Sequence, residues 1–247
     1  MNVLVFGGTT EGRELSSILA ARGIGVTVCV ATSYGQEEQG QTEGVTVLTG
    51  RRSEEEKREL LRNADLCVDA THPYATGVTQ SVRAACAAAG VPYRRLLRDA
   101  GDTSDAVTVS DAAEAAAYLT DKTGNILLTT GAKELRAFAA LSKERLYARV
   151  LPSHEGIAAC EAAGIPHRNI LAMQGPFSEE LNAALLRQYK IAWLVTKDGG
   201  TAGGFHEKAR VAKNCGVGVV VLKRPEEQGE TMVEIIQAIE EMTERCV

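Results

Sequence analysis

The sequence predicts an α/β protein made of two doubly wound parallel-sheet domains that face a shared cleft. Three observations carry this prediction. Short apolar runs alternate with helical patterns along all 247 residues. The alternation starts again near the middle of the chain, and the first strand of each half runs into a glycine turn. Alternating strands and helices are typical of βαβ units and a parallel sheet, and each half has about the five strands of one Rossmann-like domain.

The strands and helices can be assigned in order. Expected strands cover residues 2–6, 25–31, 45–48, 66–70 and 93–97, then 125–130, 146–151, 169–173, 191–196 and 218–222. Expected helices cover 12–22, 53–63 and 75–89, then 132–141, 153–163, 178–188, 204–213 and 230–244. A helix over 111–120 joins the halves, so the predicted domains are residues 1–120 and 121–247.

Composition narrows the function classes. The chain is 45% hydrophobic and 24% charged, which is a globular composition. Its formal net charge of −5 argues against nonspecific nucleic-acid binding. No apolar run approaches the roughly 18 residues of a membrane helix, and no secretory signal opens the chain. The six cysteines lack metal-ligand spacing. We therefore expect a cytoplasmic protein, a monomer or weak oligomer, with no metal, membrane or nucleic-acid partner.

The first glycine turn, at residues 7–13, has the character of a ligand loop. Gly7 and Gly12 occupy the first and third glycine positions of the G-x-G-x-x-G fingerprint, whereas the middle position is Thr9. No acid follows the second strand to bind a ribose diol. The alternative is a turn that is merely tight. The residues expected to contact a cofactor here are Gly7, Gly8, Thr9, Thr10 and Glu11.

The second glycine turn repeats this geometry at the start of the second half. Thr130, Gly131 and Lys133 follow the first strand of that half. A lysine at a helix N-terminus opposes the helix dipole unless an anion lies between them. Arg149 ends the next strand, where an arginine suits the 2′-phosphate of NADP. The alternative for Arg149 is a surface salt bridge.

Two further segments carry candidate chemistry after strands. Asp69, Thr71, His72 and Tyr74 place a carboxylate, a hydroxyl, an imidazole and a phenol together, and a histidine can donate a proton near neutral pH. The alternative is a helix cap in which Asp69 and His72 satisfy backbone groups. Residues 196–208 form the other segment, which has four glycines within six residues. Its expected ligand contacts are Lys197, Asp198, Gly199 and Gly200.

One motif is a decoy. Tyr118 and Lys122 have the spacing of the catalytic pair of short-chain dehydrogenases. Tyr118 lies near the end of an alanine-rich helix at the domain boundary, and not at a helix start after a central strand. We therefore reject this pair as a catalytic site.

Together these motifs resemble the precorrin-6A / cobalt-precorrin-6A reductase family. The resemblance runs in order through the segments 7–13, 69–75, 130–133, 149–152, 174–177 and 197–200. It implies NADPH- or NADH-dependent reduction of one double bond of the tetrapyrrole-derived macrocycle, giving precorrin-6B or its cobalt form. Rival interpretations are another Rossmann-type reductase, acting on a small carbonyl or sugar nucleotide, and a non-catalytic dinucleotide-sensing module.

The resemblance also gives roles to the candidate residues. The catalytic candidates are His72 and Tyr74, which would deliver a proton or polarise the ring, and Asp69. The substrate candidates are Arg13, Thr71, Lys197, Asp198, Gly199 and Gly200. Because the macrocycle carries acetate and propionate arms, it needs cations. Those near strand ends are Arg13, Arg51, Arg52, Arg94, Arg95, Arg98 and Lys197, and the alternative for each is solvated surface charge.

Overall fold

The computed structural model describes residues 1–175, 177–200 and 204–244. The strands are β1 (Asn2–Phe6), β2 (Gly25–Val30), β3 (Val45–Thr49), β4 (Leu66–Asp69), β5 (Tyr93–Arg95), β6 (Val107–Val109), β7 (Asn125–Leu128), β8 (Leu146–Val150), β9 (Ile170–Ala172), β10 (Ile191–Lys197) and β11 (Gly218–Leu222). They form two sheets in which every pair of neighbouring strands is parallel, as the alternating pattern predicts.

The α-helices lie between these strands and after the last one. They are α1 (Thr10–Ala21), α2 (Ser33–Gln39), α3 (Glu54–Leu61), α4 (Thr76–Ala89), α5 (Ala112–Leu119), α6 (His154–Ala162), α7 (Glu179–Gln188), α8 (Phe205–Asn214) and α9 (Met232–Glu244). The segment Ala132–Phe138 is a 3₁₀ helix where the sequence suggested an α-helix. Its tighter turn leaves fewer intrahelical hydrogen bonds of good geometry.

The strand orders are those of doubly wound folds. The first sheet runs β3-β2-β1-β4-β5, and the second runs β6-β11-β10-β7-β8-β9. The chain reverses its direction of travel between β1 and β4 in the first sheet and between β7 and β10 in the second. Ligands of open α/β sheets bind outside the carboxyl ends of the strands at such switch points.

The domain division differs from the single break expected after residue 120. The first domain comprises Met1–Arg98 and the chain from Pro225 onward, and the second comprises Asp99–Arg224. β6 and α5 belong to the second domain because β6 pairs with β11, from Val107 opposite Val220 to Val109 opposite Leu222. These long-range pairings leave no local signal in the sequence.

The C-terminal helix returns to the first domain. Ile235 and Ile239 of α9 are fully buried in one apolar cluster with Leu15 and Leu19 of α1 and the inner face of the first sheet. A second cluster covers the opposite face of that sheet, against α3 and α4. The first sheet is therefore buried on both faces, as parallel sheets require.

Candidate functional site

Three glycines shape the turn between β1 and α1. A Cβ atom on Gly7 would lie 2.9 Å from Val28 Cγ1, and one on Gly12 would lie 2.9 Å from Ala70 Cβ, both too close for a real side chain. Gly8 has a φ of +108°, which residues with a side chain rarely adopt. The tight turn and the close helix–strand approach are the purposes that the first and third glycines of the fingerprint serve.

Thr9 replaces the middle glycine of the fingerprint and closes the turn itself. Its Oγ1 accepts a hydrogen bond from Gly12 N at 3.1 Å, which caps α1. The same hydroxyl donates to Ala70 O at 2.8 Å. Thr9 thus fastens the β1 turn to the end of β4, across the switch point of the first sheet.

Most cations expected to bind the macrocycle are paired within the chain. Arg98 Nη2 lies 2.6 Å from Glu11 Oε2, so Glu11 holds an arginine here. Arg13 Nη1 donates to Glu38 O at 2.8 Å and lies 3.8 Å from the Glu38 carboxylate. The remaining ion pairs of this group join Arg52 to Glu56, Arg94 to Glu230, Arg95 to Asp69 and Glu227, and Lys197 to Glu134.

Asp69, at the end of β4, is the centre of a buried polar network. Its side chain is fully buried, and Oδ1 accepts from Thr71 N at 3.0 Å, Thr71 Oγ1 at 2.7 Å and Arg95 Nη1 at 2.9 Å. Oδ2 accepts from the Tyr93 hydroxyl at 3.0 Å. Burial and the Asp69 charge raise the pKa of Tyr93 above its ordinary value, so the phenol keeps its proton. With four donors on its carboxylate, Asp69 organises the loop that follows β4.

His72 and Tyr74 lie in that loop, just before α4. His72 Nδ1 accepts from Tyr74 N at 3.3 Å, and the two ring centroids are 5.6 Å apart. His72 O accepts from Ala75 N at 2.8 Å, which closes the turn. Because Nδ1 is an acceptor, the neutral imidazole carries its proton on Nε2. Two half-buried proton-bearing side chains therefore stand side by side at the carboxyl end of β4.

The corresponding switch point of the second sheet lies between β7 and β10. Thr129 N and Oγ1 both donate to Val195 O, at 2.8 and 3.0 Å. Gly131 has a φ of +87°, and a Cβ there would meet no atom within 4 Å. Thr130 Oγ1 is buried and has no hydrogen-bond partner among the described residues. Lys133 is exposed at the start of the 3₁₀ helix.

Arg149 is neither on the surface nor in a salt bridge with a described residue. Its side chain at the end of β8 is 8% exposed, Nη1 donates to Asn182 Oδ1 at 2.8 Å, and the guanidinium lies 4.3 Å from the centre of the Phe177 ring. Burial lowers the pKa of Arg149 to about 10. A buried cation without a carboxylate is costly unless a ligand supplies the negative charge.

A second cation accompanies Arg149. Burial lowers the pKa of Lys208, in the first turn of α8, to about 8; the charge of Arg149 adds to this effect and Glu207 opposes it. Glu207 Oε2 is itself buried without a hydrogen-bond partner among the described residues. The sequence pattern assigned no role to Lys208, because its proximity to Arg149 depends on the tertiary fold.

Lys197 and Asp198 are engaged within the second domain. Lys197 Nζ lies 2.9 Å from Glu134 Oε1. Asp198 Oδ1 accepts from Gly101 N at 2.9 Å and Gly200 N at 3.0 Å, while Arg224 Nη2 lies 3.5 Å away. Asp198 thus ties together the two ends of the second domain. Residues 201–203 of the glycine-rich segment, and Pro176, fall outside the described residues.

The Tyr118–Lys122 decoy has a structural role. Lys122 Nζ lies 5.0 Å from the centre of the Tyr118 ring and 5.9 Å from that of Trp193, and the two rings meet edge to face. Trp193 Nε1 donates to Thr123 O at 3.2 Å. This cluster lies near the amino end of β10, whereas the switch point lies at the carboxyl ends of the strands.

The sequence did not indicate Arg83 and Arg95 as a pair of cations in the first domain. Arg95 was expected only as a possible substrate cation, and no role was expected for Arg83. Arg83 lies over the Tyr93 ring, 5.2 Å from its centre. The Tyr-Arg-Arg run that forms β5 is the one local signal, because charged residues at the end of a buried strand need partners.

The described residues contain neither a metal-binding cluster nor a membrane-spanning helix. Among the described residues, no group of three or more His, Cys, Asp or Glu side chains can hold a metal ion. None of the described helices has the length and apolar character needed to cross a membrane.

Comparison with known proteins gives matches along the full chain. A family model described as precorrin-6x reductase CbiJ/CobK matches residues 2–245. The cobalt-precorrin-6A reductase of Priestia megaterium is 34% identical over 253 residues, which cover 98% of this chain and 99% of that protein. The precorrin-6A reductase of Mycobacterium tuberculosis H37Rv is 32% identical over 237 residues, covering 90% of this chain and 88% of that protein.

A solved structure shares the fold. The structure titled CobK precorrin-6A reductase superposes with a TM-score of 0.77 at 24% sequence identity, covering 98% of this chain and 96% of that one. The pair of parallel sheets predicted from the alternating pattern is therefore also found in a solved structure.

Proposed function

Because the chain belongs to the precorrin-6x reductase family CbiJ/CobK, we propose that it uses a nicotinamide cofactor to reduce one double bond of precorrin-6A or its cobalt form. The observation that carries the proposal is similarity over nearly the whole length to relatives named for this reaction. The product is precorrin-6B or its cobalt form. When bound, the nicotinamide supplies the hydride, and the protein supplies orientation, proton delivery and electrostatics.

In this proposal, side chains of the loop after β4 deliver the proton to the macrocycle. His72 and Tyr74 are adjacent and partly accessible, so either can hold a proton close to the ring atom that needs one. Asp69 is fully buried, and we therefore give it a positioning role in place of the direct catalytic role first expected. Thr71 links Asp69 to the turn.

The cofactor contacts proposed are the two glycine turns at the switch points. In the first domain these are Gly7, Gly8, Thr9, Thr10 and Glu11, and in the second Thr130, Gly131, Lys133 and Arg149. The Thr130 hydroxyl, which has no hydrogen-bond partner in the described part of the chain, and the buried Arg149 suit a polar, anionic group such as a cofactor phosphate. Arg13, Lys197, Asp198, Gly199 and Gly200 remain proposed contacts of the macrocycle, although three of their side chains also hold partners within the chain.

We further propose that NADPH is preferred over NADH. The support is Arg149, a buried arginine with no acid partner among the described residues, at the strand end where Rossmann-like domains meet the adenosine ribose. An NAD-specific site would instead present a carboxylate to the ribose diol.

Turnover under anaerobic conditions tests the proposal. The enzyme is incubated with precorrin-6A or cobalt-precorrin-6A and with NADPH or NADH, while cofactor oxidation and the macrocycle spectrum are followed together. We expect oxidation of one cofactor equivalent per macrocycle, with NADPH faster. Cofactor binding without oxidation, in the presence of either macrocycle, would instead favour a dinucleotide-sensing module.

Variants of the loop after β4 then test the proton step. His72→Ala and Tyr74→Phe are expected to lower kcat by about 10²-fold or more if each residue delivers the proton. A variant with full turnover across neutral pH removes that residue from the role.

A further inference from the structure

We propose that a cavity beside α4 in the first domain binds a carboxylate arm of the macrocycle, with Arg83 as its main cation. This inference rests on the proposed function for the identity of the ligand. The cavity has a volume of about 640 Å³. One wall is the face of α4 formed by Thr76, Thr79, Gln80 and Arg83, and the other is the returning segment 225–228.

The helix wall presents donors. Residues 76, 79, 80 and 83 follow the spacing of one helix face. α4 is 14 residues long and begins without a side-chain cap, so its first turn offers N–H groups at the positive end of the helix dipole. The Thr79 hydroxyl lies 3.3 Å from that of Thr71, which connects this wall to the loop that carries His72.

Arg95 is an independent indication that the cavity accepts a hydrogen-bond acceptor. Its side chain lines the cavity and is 3% exposed, yet Nε has no hydrogen-bond partner among the described residues. The two terminal nitrogens are used: Nη1 by Asp69 and Thr71, and Nη2 by Glu227 at 2.7 Å. A buried donor left unsatisfied costs free energy, which an acceptor in the cavity would recover.

Arg83 is an exposed cation on the α4 wall of the cavity. It makes no ion pair with a described residue, whereas Glu227 is neutralised by Arg95. The Tyr93 ring beneath the guanidinium restricts its orientation, so less side-chain entropy is lost when an anion binds. A planar arginine fork matches a carboxylate through two parallel hydrogen bonds. Glu226 also lines the cavity, is exposed, and opposes an anion there.

Equilibrium titration of the full-length enzyme tests the proposal. Binding of cobalt-precorrin-6A is followed by absorbance under anaerobic conditions without cofactor. Arg83→Gln should weaken binding by about 10-fold or more, the loss expected for a charge-assisted pair. Arg83→Lys should restore part of it, and Glu226→Gln should strengthen binding. Arg58→Gln, which removes an exposed arginine of α3, is the matched control and should bind as the wild type does.

Steady-state kinetics distinguish a loss of macrocycle binding from misfolding of the variant. Arg83→Gln should raise the KM for the macrocycle while kcat and the KM for NADPH stay within about twofold, because a peripheral arm contributes uniform binding. The fully methyl-esterified macrocycle should bind wild type and Arg83→Gln equally. The proposal is overturned if Arg83→Gln binds the free acid as tightly as the wild type does. It is also overturned if the variant loses equal affinity for the free acid and for the ester.

A last measurement keeps this inference separate from the proposed function. The Arg83 Nε signal of the ¹⁵N-labelled enzyme is followed by NMR during titration with tricarballylate or inorganic phosphate. We expect a saturable shift with tricarballylate and a weaker one with phosphate. A chemical shift change without macrocycle turnover would support the subsite and contradict the proposed reductase function. Turnover without any chemical shift change would support the reductase function and contradict the subsite.

Discussion

Arg95 Nη1 donates to the Asp69 carboxylate over 2.9 Å, and the two side chains are almost completely buried. The pair lies at the ends of the neighbouring strands β4 and β5, where Asp69 is also in register with Arg95. The ion pair therefore sets the geometry of the loop that carries His72.

Removing the charge of Asp69 should be strongly destabilising. Asp69→Asn leaves a buried arginine with one carboxylate in place of two, and we expect the free energy of unfolding to fall by about 3 kcal/mol. Urea unfolding followed by circular dichroism measures this. Arg13→Gln, which breaks the partly exposed pair with Glu38, should cost less than about 1 kcal/mol. Equal losses for the two variants would contradict the dominant role of burial.

Gly12 should not tolerate a methyl group. Gly12→Ala places a Cβ 2.9 Å from Ala70 Cβ, so α1 must move away from β4. We expect a loss of about 1–3 kcal/mol in unfolding free energy, typical of overpacking. Gly77→Ala in α4 meets no atom within 4 Å and should instead stabilise by about 0.5–1 kcal/mol. Thermal unfolding of both variants measures the steric cost of a Cβ at residue 12 and the gain in helix propensity at residue 77.

Arg149 should control the choice of cofactor. Arg149→Met keeps an apolar stem against Phe177 and removes the charge, so we expect the KM for NADPH to rise about 10- to 100-fold. The KM for NADH should change by less than about twofold, because NADH has no 2′-phosphate. Arg187→Gln, on the exposed side of α7, is the control. Equal effects on both cofactors would place Arg149 away from the 2′-phosphate.

The affinity for NADPH should decrease with pH through Lys208. Its pKa is lowered to about 8, so the side chain loses its charge above that pH in the cofactor-free enzyme. A bound phosphate favours the charged form, and affinity is therefore full below pH 8 and falls above it. The dependence should be absent in Lys208→Met and for NADH. Isothermal titration calorimetry between pH 7 and 9 measures it, and an unchanged slope in the variant would exclude Lys208.

The same lowered pKa makes the contribution of Lys208 to the free energy of unfolding increase with pH, whereas its contribution to NADPH affinity decreases. The unfolded chain retains this proton up to the ordinary value of 10.5, whereas the folded state releases it near pH 8. The unfolded state binds more protons in this window, so the contribution of Lys208 to stability improves as the pH rises through it. Urea midpoints of wild type and Lys208→Met should converge toward pH 10.

Local patterns in the sequence were enough to predict the two sheets and the position of the glycine turns. The Gly7–Gly12 spacing predicted a Rossmann-type turn after the first strand, because that spacing follows from backbone sterics within a single βα unit. By contrast, α2 (Ser33–Gln39) was missed, since its sequence is mainly polar and lacks helical apolar periodicity.

The partners of charged side chains could not be predicted in the same way. Asp69 was expected to act on the substrate, yet its four donors come from Thr71, Tyr93 and Arg95, two of them about 25 residues away and on another strand. Arg149 and Asn182 are likewise brought together only by packing of α7 on the second sheet. Such pairings depend on register and helix placement, which a single sequence does not encode locally.

The interrupted first domain has a consequence for synthesis on the ribosome. Residues 99–224 are contiguous, so the second domain can complete its fold as soon as it has emerged from the exit tunnel. The first domain must wait, because Leu15 and Leu19 are covered by Ile235 and Ile239 of α9, which follows the second domain along the chain. Until then its apolar face stays open, which makes the nascent N-terminal half a natural client for chaperones.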